Sequence, residues 1–228
     1  MISPKLYKSS RLYDFFMKSL GYESSIDRFL RSLDFPLAGG ARILDAGCGT
    51  GLLGLHFMQR IAGATLHATD LERNFLAATL ANANVRGIDP ERITVGVADI
   101  STPKKMTLLN NSVLDLDDNS FDLICIGAVV GYASDTESSL QGLIDLLAPG
   151  GRLINIEMNE SLTGRFVSNR YHYKNISLQR MQSIMQNAGC EVTAMKFKLK
   201  HLPAKFTRTA MVAHKPESNV PSETAASQ

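Results

Sequence analysis

Asp45 closes a short apolar run, Ile43-Leu44, and is followed by Gly47, Gly49 and Gly51 and then by Leu52-Leu53-Gly54. An acid, three alternating glycines and an apolar amphipathic segment make a strand that ends in a tight loop and opens a helix. Glycine is needed there because the backbone must turn sharply and approach a ligand without Cβ clash. The stretch therefore reads as a cradle for a nucleotide cofactor. Two more acids follow the same grammar. Residues 64–69 form an extended run closing on Asp70-Leu71, with Asp70 placed 23 residues after Gly47. Residues 93–98 form another, closing on Asp99-Ile100. Either acid alone could be a helix N-cap or a loop residue; three acids ending three strands, with the glycine loop, are hard to obtain by chance.

Gly49, Gly51 and Gly54 also spell the dinucleotide pattern GxGxxG within the same loop. A dinucleotide loop must offer bare amides and a helix N-terminus to a pyrophosphate, and an acid at the strand's end disfavours that anion. Asp45 argues instead for a cationic ligand.

Asp45-Ala46-Gly47-Cys48-Gly49-Thr50-Gly51 resembles, without a gap, the first motif of the class I S-adenosylmethionine (SAM) methyltransferases, an acid followed by GxGxG. Their cofactor carries an ammonium and a sulfonium and no phosphate. The resemblance implies that Asp45, Gly47, Cys48, Gly49 and Gly127 border the cofactor. It also implies that Asp70, beside Leu71, accepts the ribose hydroxyls, and that Asp99 and Ile100 hold the adenine. S-adenosylhomocysteine (SAH) would be the product. Cys48, between two loop glycines, reads as a small tolerated side chain with no chemistry of its own. Phe121-Asp122-Leu123-Ile124 and Ala148-Pro149-Gly150-Gly151 resemble the family's fourth strand and the turn into its fifth. Proline and paired glycines there stop a helix whatever the function.

The elements that must position these residues alternate along the chain. Apolar residues at helical spacing between Leu12 and Leu33 give one or two helices before the first strand, where the family keeps a cofactor-covering cap. Helices to about Ile61 and from Glu72 to about Val85 separate the first three strands. Residues 101–119 show no periodicity and read as a surface excursion. Two extended runs, 191–199 and 206–213, read as the reversed final hairpin of the family. The expected fold is α/β: a doubly wound, seven-stranded, mostly parallel sheet with a reversed C-terminal hairpin strand and helices on both faces. The expected division is N-terminal cap helices over 1–40, a SAM-binding methyltransferase domain over 41–215, and a disordered tail over 216–228 rich in Ser, Pro, Ala and Thr.

With 228 residues, 44% of them hydrophobic, the chain can bury one sizeable core. Three scattered cysteines, an N-terminus without a signal-like apolar core and no run of roughly 20 apolar residues point to a reduced, cytoplasmic protein with no transmembrane segment. No metal site is read.

The acceptor side carries less. Enzymes of this class that methylate exocyclic or amide nitrogens often show an [Asn/Asp]-Pro-Pro-aromatic run after the fourth strand. This chain has Gly127-Ala128-Val129-Val130-Gly131-Tyr132. The departure counts against nucleic-acid bases as acceptors and resembles the small-molecule branch, where a His often stands at the place of Tyr132. Tyr132 facing the pocket could orient an acceptor, although a tyrosine is a weak base and a core or rim position is the plainer reading. Between Ser161 and Lys215 ten Lys or Arg face one acid, Glu191, while the whole chain carries only +2. That asymmetry suits an anionic acceptor. Lys196, Lys198 and Lys200 alternate with apolar residues and read as one face of an edge strand, where lysines block edge-to-edge pairing. The run 165–174 mixes basic and aromatic residues that could stack on an anionic or aromatic acceptor, and within it His172 is a candidate general base. A nicotinamide-dependent oxidoreductase on a similar sheet and a non-catalytic SAM-fold partner subunit are the competing readings.

Overall fold

The computed structural model describes residues 21–33, 36–170 and 173–217. Its centre is a run of strands buried on both faces. In β1 (Arg42–Ala46) every residue after Arg42 is buried. Ile43 packs with Phe29, Leu55 and Leu76 on one side of the sheet, and Leu44 with Leu140, Leu143 and Met185 on the other. Such strands read as continuous apolar runs because helices cover both faces.

β1 pairs in parallel with β2 (Thr65–Asp70) on one side and with β6 (Phe121–Gly127) on the other. Beyond β2 lies β3 (Ile93–Val97), and beyond β6 lies β7 (Leu147–Met158), both parallel. The chain thus reverses its direction of travel across the sheet between β1 and β6. Ligands of open α/β sheets bind at the carboxyl ends of the strands at such a switch point. The reversed hairpin is present. β8 (Glu191–Met195) and β9 (Arg208–His214) pair antiparallel, and β9 is inserted between β7 and β8.

Two expectations need correction. Among the described residues the sheet has nine strands, not seven, in the order β5-β4-β3-β2-β1-β6-β7-β9-β8. The extra pair comes from the supposed surface excursion: β4 (Lys105–Leu108) pairs antiparallel with β3 and with β5 (Val113–Asp115). Met106 and Leu116 are buried there. Strands of four and three residues are too short to display the alternation by which a strand is read. Second, β8 stops at Met195, so Lys196, Lys198 and Lys200 are not on an edge strand. Phe197 instead leaves the sheet to stack on Phe29 with ring centroids 4.1 Å apart. That contact anchors α1 (Tyr22–Leu30), part of the expected N-terminal cap.

Four helices cover the sheet behind the site: α2 (Leu52–Arg60), α3 (Arg73–Val85), α4 (Thr136–Leu146) and, later in the chain, α6 (Leu178–Asn187). Between β7 and α6 runs α5 (Leu162–Arg170). Among the described residues no helix is long and apolar enough to cross a membrane. The first expected helix and nearly all of the expected tail lie outside the described residues.

Candidate functional site

The carboxyl ends of β1, β2, β3, β6 and β7 open onto one cavity of about 470 Å³. Asp45, Gly47, Cys48 and Gly49 line it from β1 and its loop, Asp70 and Leu71 from the end of β2, Asp99 and Ile100 from the end of β3, and Gly127 from the end of β6. Tyr132 borders the same cavity, and its ring meets Tyr173 edge-on at 5.1 Å. His172 lies outside the described residues.

The glycine loop owes its shape to backbone that other residues cannot adopt or fit. Gly47 has φ +70°, and a Cβ there would stand 2.3 Å from the Val129 side chain. Val129 belongs to the turn after β6, so Gly47 is where the two loops of the switch point touch. Gly49 has φ +55° with open space where a Cβ would project. Its exposed backbone face is a cradle. Gly54 is different: a Cβ there would lie 2.8 Å from Leu66 Cδ1 and 2.9 Å from Asp45 Oδ2. The third glycine of the apparent GxGxxG therefore serves close packing of α2 against the sheet.

Two amides that a pyrophosphate would require are already taken by carboxylates. The Gly54 N–H, in the first turn of α2, donates to Asp45 Oδ2 at 2.8 Å, and the Gly49 N–H donates to Asp70 Oδ2 at 2.9 Å. Burial, with a smaller push from the charge of Asp70, raises the pKa of Asp45 to about 7 against the lowering bond from Gly54. Burial raises Asp70 too, partly offset by N–H bonds from Glu72 and Gly49. A phosphate placed here would meet two acids instead of free donors. A cationic, phosphate-free ligand with hydroxyls to offer Asp70 fits the donor set.

The match to known families agrees with that chemistry. Residues 44–153 match the family model described as a methyltransferase domain. That match supports a class I S-adenosylmethionine-dependent methyltransferase. SAM is the cofactor of this class, and the loop, Asp70 and the Asp99-Ile100 corner are the parts of the cavity that fit it. The chain is 28% identical over 155 residues to a demethylmenaquinone methyltransferase of Thermus thermophilus, covering 68% of this chain and 64% of that protein. It is 24% identical over 167 residues to a ubiquinone biosynthesis O-methyltransferase of Xanthomonas euvesicatoria, covering 67% and 64%. It thus spans less than two thirds of the length of these relatives. A phosphoethanolamine N-methyltransferase 2 of Haemonchus contortus, solved with SAM, shares the fold at a TM-score of 0.66 and 16% identity, over 95% of this chain and 61% of that one.

Several site residues were not read from the sequence. The Thr79 hydroxyl of α3 donates to the Gly49 carbonyl at 3.0 Å, and Asn82 Nδ2 donates to the Thr50 carbonyl at 3.0 Å. Arg86, one turn further, pairs with Glu23 of α1 at 2.9 Å, and both line the cavity. Thr79, Asn82 and Arg86 recur at helical spacing, and that polar face on an otherwise apolar helix was the available signal. Cys48 is buried with Sγ 3.5 Å from Thr79 Oγ1, and burial pushes its thiol well above the ordinary range, so it is inert.

At the other end of the cavity Ala128 has φ +52°, a left-handed conformation that costs a residue with a Cβ on the order of 1 kcal/mol. Its N–H donates to the Ile156 carbonyl at 2.8 Å, which pins the turn to β7. Tyr173 is buried rather than presented to an acceptor. Its hydroxyl donates to Glu157 Oε2 and accepts from the Gly131 N–H at 3.0 Å. Burial raises Glu157 to about 7 and takes the Tyr173 hydroxyl far above its usual range, with the adjoining carboxyl adding to the latter. Tyr173 is thus a brace for the turn that carries Tyr132.

Proposed function

We propose that the protein transfers a methyl group from SAM to a small anionic or aromatic acceptor. The observation that carries this reading is the capture of the Gly49 and Gly54 amides by Asp70 and Asp45, which adapts a glycine loop at a sheet switch point to a cationic cofactor. When bound, the cofactor supplies a methyl group made electrophilic by its sulfonium. The chain's own residues hold and orient it. Asp70 accepts the ribose hydroxyls in charge-assisted bonds, Asp99 with Ile100 borders the adenine, and the Gly127 turn closes the side facing the acceptor. Tyr132 stands where it can orient an acceptor.

Among the described residues lining the cavity there is no histidine. An acceptor that is already nucleophilic needs alignment more than a base, because holding it in line can supply a large part of the rate. The names of the two curated relatives, both in quinone biosynthesis, support a small-molecule acceptor. Incubating the protein with methyl-labelled SAM and a metabolite extract, with mass spectrometry of every fraction, tests this. The expected result is label in a small molecule; label confined to protein or nucleic acid contradicts it.

A further inference from the structure

Arg208 is the first residue of β9 and stands opposite Met158 in the β7 pairing, at the carboxyl end of the sheet. It lines the cavity beside Ile156 and Tyr132. Its Nε and Nη1 are inaccessible to solvent and have no hydrogen-bond partner. Such an arrangement is costly, because a guanidinium nitrogen withdrawn from water without an acceptor forfeits its hydration. The charge of Arg208 acts on Glu157, lowering its pKa against the rise from burial. Glu157, however, pairs in register with Thr209, so the alternation of the strands sends it to the opposite face from Arg208. Its Oε2 already accepts from Tyr173. No ion pair to Arg208 is present among the described residues.

We infer that Arg208 is a recognition residue for the acceptor, binding an anionic oxygen of the carboxylate or phosphate class where its guanidinium borders the cavity. A guanidinium N–H at the cavity wall donates to such an oxygen in a charge-assisted bond. The position favours the acceptor over the cofactor. The glycine loop, Asp70 and the Asp99 corner lie at the β1, β2 and β3 ends, whereas Arg208 lies beyond β7 with Tyr132 nearby. The inference rests on the methyltransferase reading and names the class of molecule that the same site takes.

The experiment uses the full chain saturated with SAH and three probes: benzoate, phenyl phosphate and the neutral benzyl alcohol. Binding is read by calorimetry and by the ¹⁵N resonance of the Arg208 Nε–H, assigned by its loss in Arg208→Lys. The expected result is saturable binding of at least one of the two anions, with a shift of that resonance, and no binding of benzyl alcohol. Arg208→Gln should weaken the bound anion at least tenfold and leave SAH affinity within threefold. Undiminished anion binding in Arg208→Gln, or no anion binding by the wild type, overturns the inference. An equal loss of SAH affinity in Arg208→Gln also overturns it and assigns Arg208 to the cofactor. Failure of the wild type to bind SAH at all contradicts the methyltransferase reading instead, and is distinguishable from each of these.

Discussion

At the β1–β2–β3 end of the cavity the site is built from backbone, while at the β6–β7–β9 end it is built from side chains sent in from distant segments. The first end presents loop amides bonded to Asp45 and Asp70, with Thr79 and Asn82 of α3 holding the loop's carbonyls. The second presents Tyr132, Ile156 and Arg208 around a turn braced by Tyr173 and Glu157. A cofactor shared by a whole family is served by a contiguous loop with little freedom to vary. An acceptor particular to one enzyme is served by side chains that can change singly without disturbing the fold.

The largest effect should come from the point where the two ends touch. Gly47→Ala places a Cβ 2.3 Å from the Val129 side chain at φ +70°. Left-handed strain and overpacking together should cost about 3 kcal/mol. Chemical denaturation should show that loss and calorimetry should show no SAH binding; a variant of wild-type stability and affinity would mean the loops do not bear on each other.

Asp70→Asn sharpens the contrast at the backbone end. Loss of charge-assisted bonds to the ribose should lower SAH affinity by roughly 10- to 100-fold, and because an amide has one oxygen for the Gly49 and Glu72 N–H groups, stability should fall by about 1 kcal/mol. An unchanged dissociation constant removes Asp70 from the cofactor site.

Tyr173→Phe probes the other end. It leaves the Gly131 N–H and Glu157 Oε2 without their shared partner in the interior, for a stability loss of about 1–3 kcal/mol. SAH affinity should stay within a few-fold of wild type, because the brace serves the acceptor turn. Equal losses of stability and SAH affinity would erase the division between the ends.

The smallest effect is a slope with pH. Asp45 and Glu157 titrate near 7 in the folded chain, above the ordinary carboxylate range. Between that range and 7 the native chain holds more protons than the unfolded one, so these two groups make stability fall as pH rises. Their contribution is full at low pH and lost as pH passes through about 7. Asp45→Asn keeps an oxygen for the Gly54 N–H and should flatten the decline between pH 5 and pH 8 in urea titrations. A slope as steep as wild type would show that Asp45 ionises as an ordinary carboxylate.

The sequence made the two ends unequally legible for the same physical reason. Asp45 to Gly51 is one contiguous run, and Asp70 and Asp99 follow at the ends of well-patterned strands, so local pattern alone placed them. Gly54 was ambiguous until its contact with Asp45 and Leu66 showed that it serves packing. Arg208 and Tyr173 act through a strand order in which β9 is inserted beside β7, a relation that no local spacing encodes. Tyr173, within the run 165–174, accordingly read as an aromatic that could stack on an acceptor rather than as a buried brace. β4 and β5 escaped notice because strands of three or four residues carry no period.

The capture of the loop amides by carboxylates is the central claim, and comparing SAH with NADH in a thermal-shift measurement tests it most directly. At 100 times its dissociation constant SAH should add about 2.7 kcal/mol, raising Tm by roughly 5–10 °C for a chain of this size, and NADH at equal concentration should leave Tm unchanged. Stabilisation by NADH and none by SAH would contradict the account.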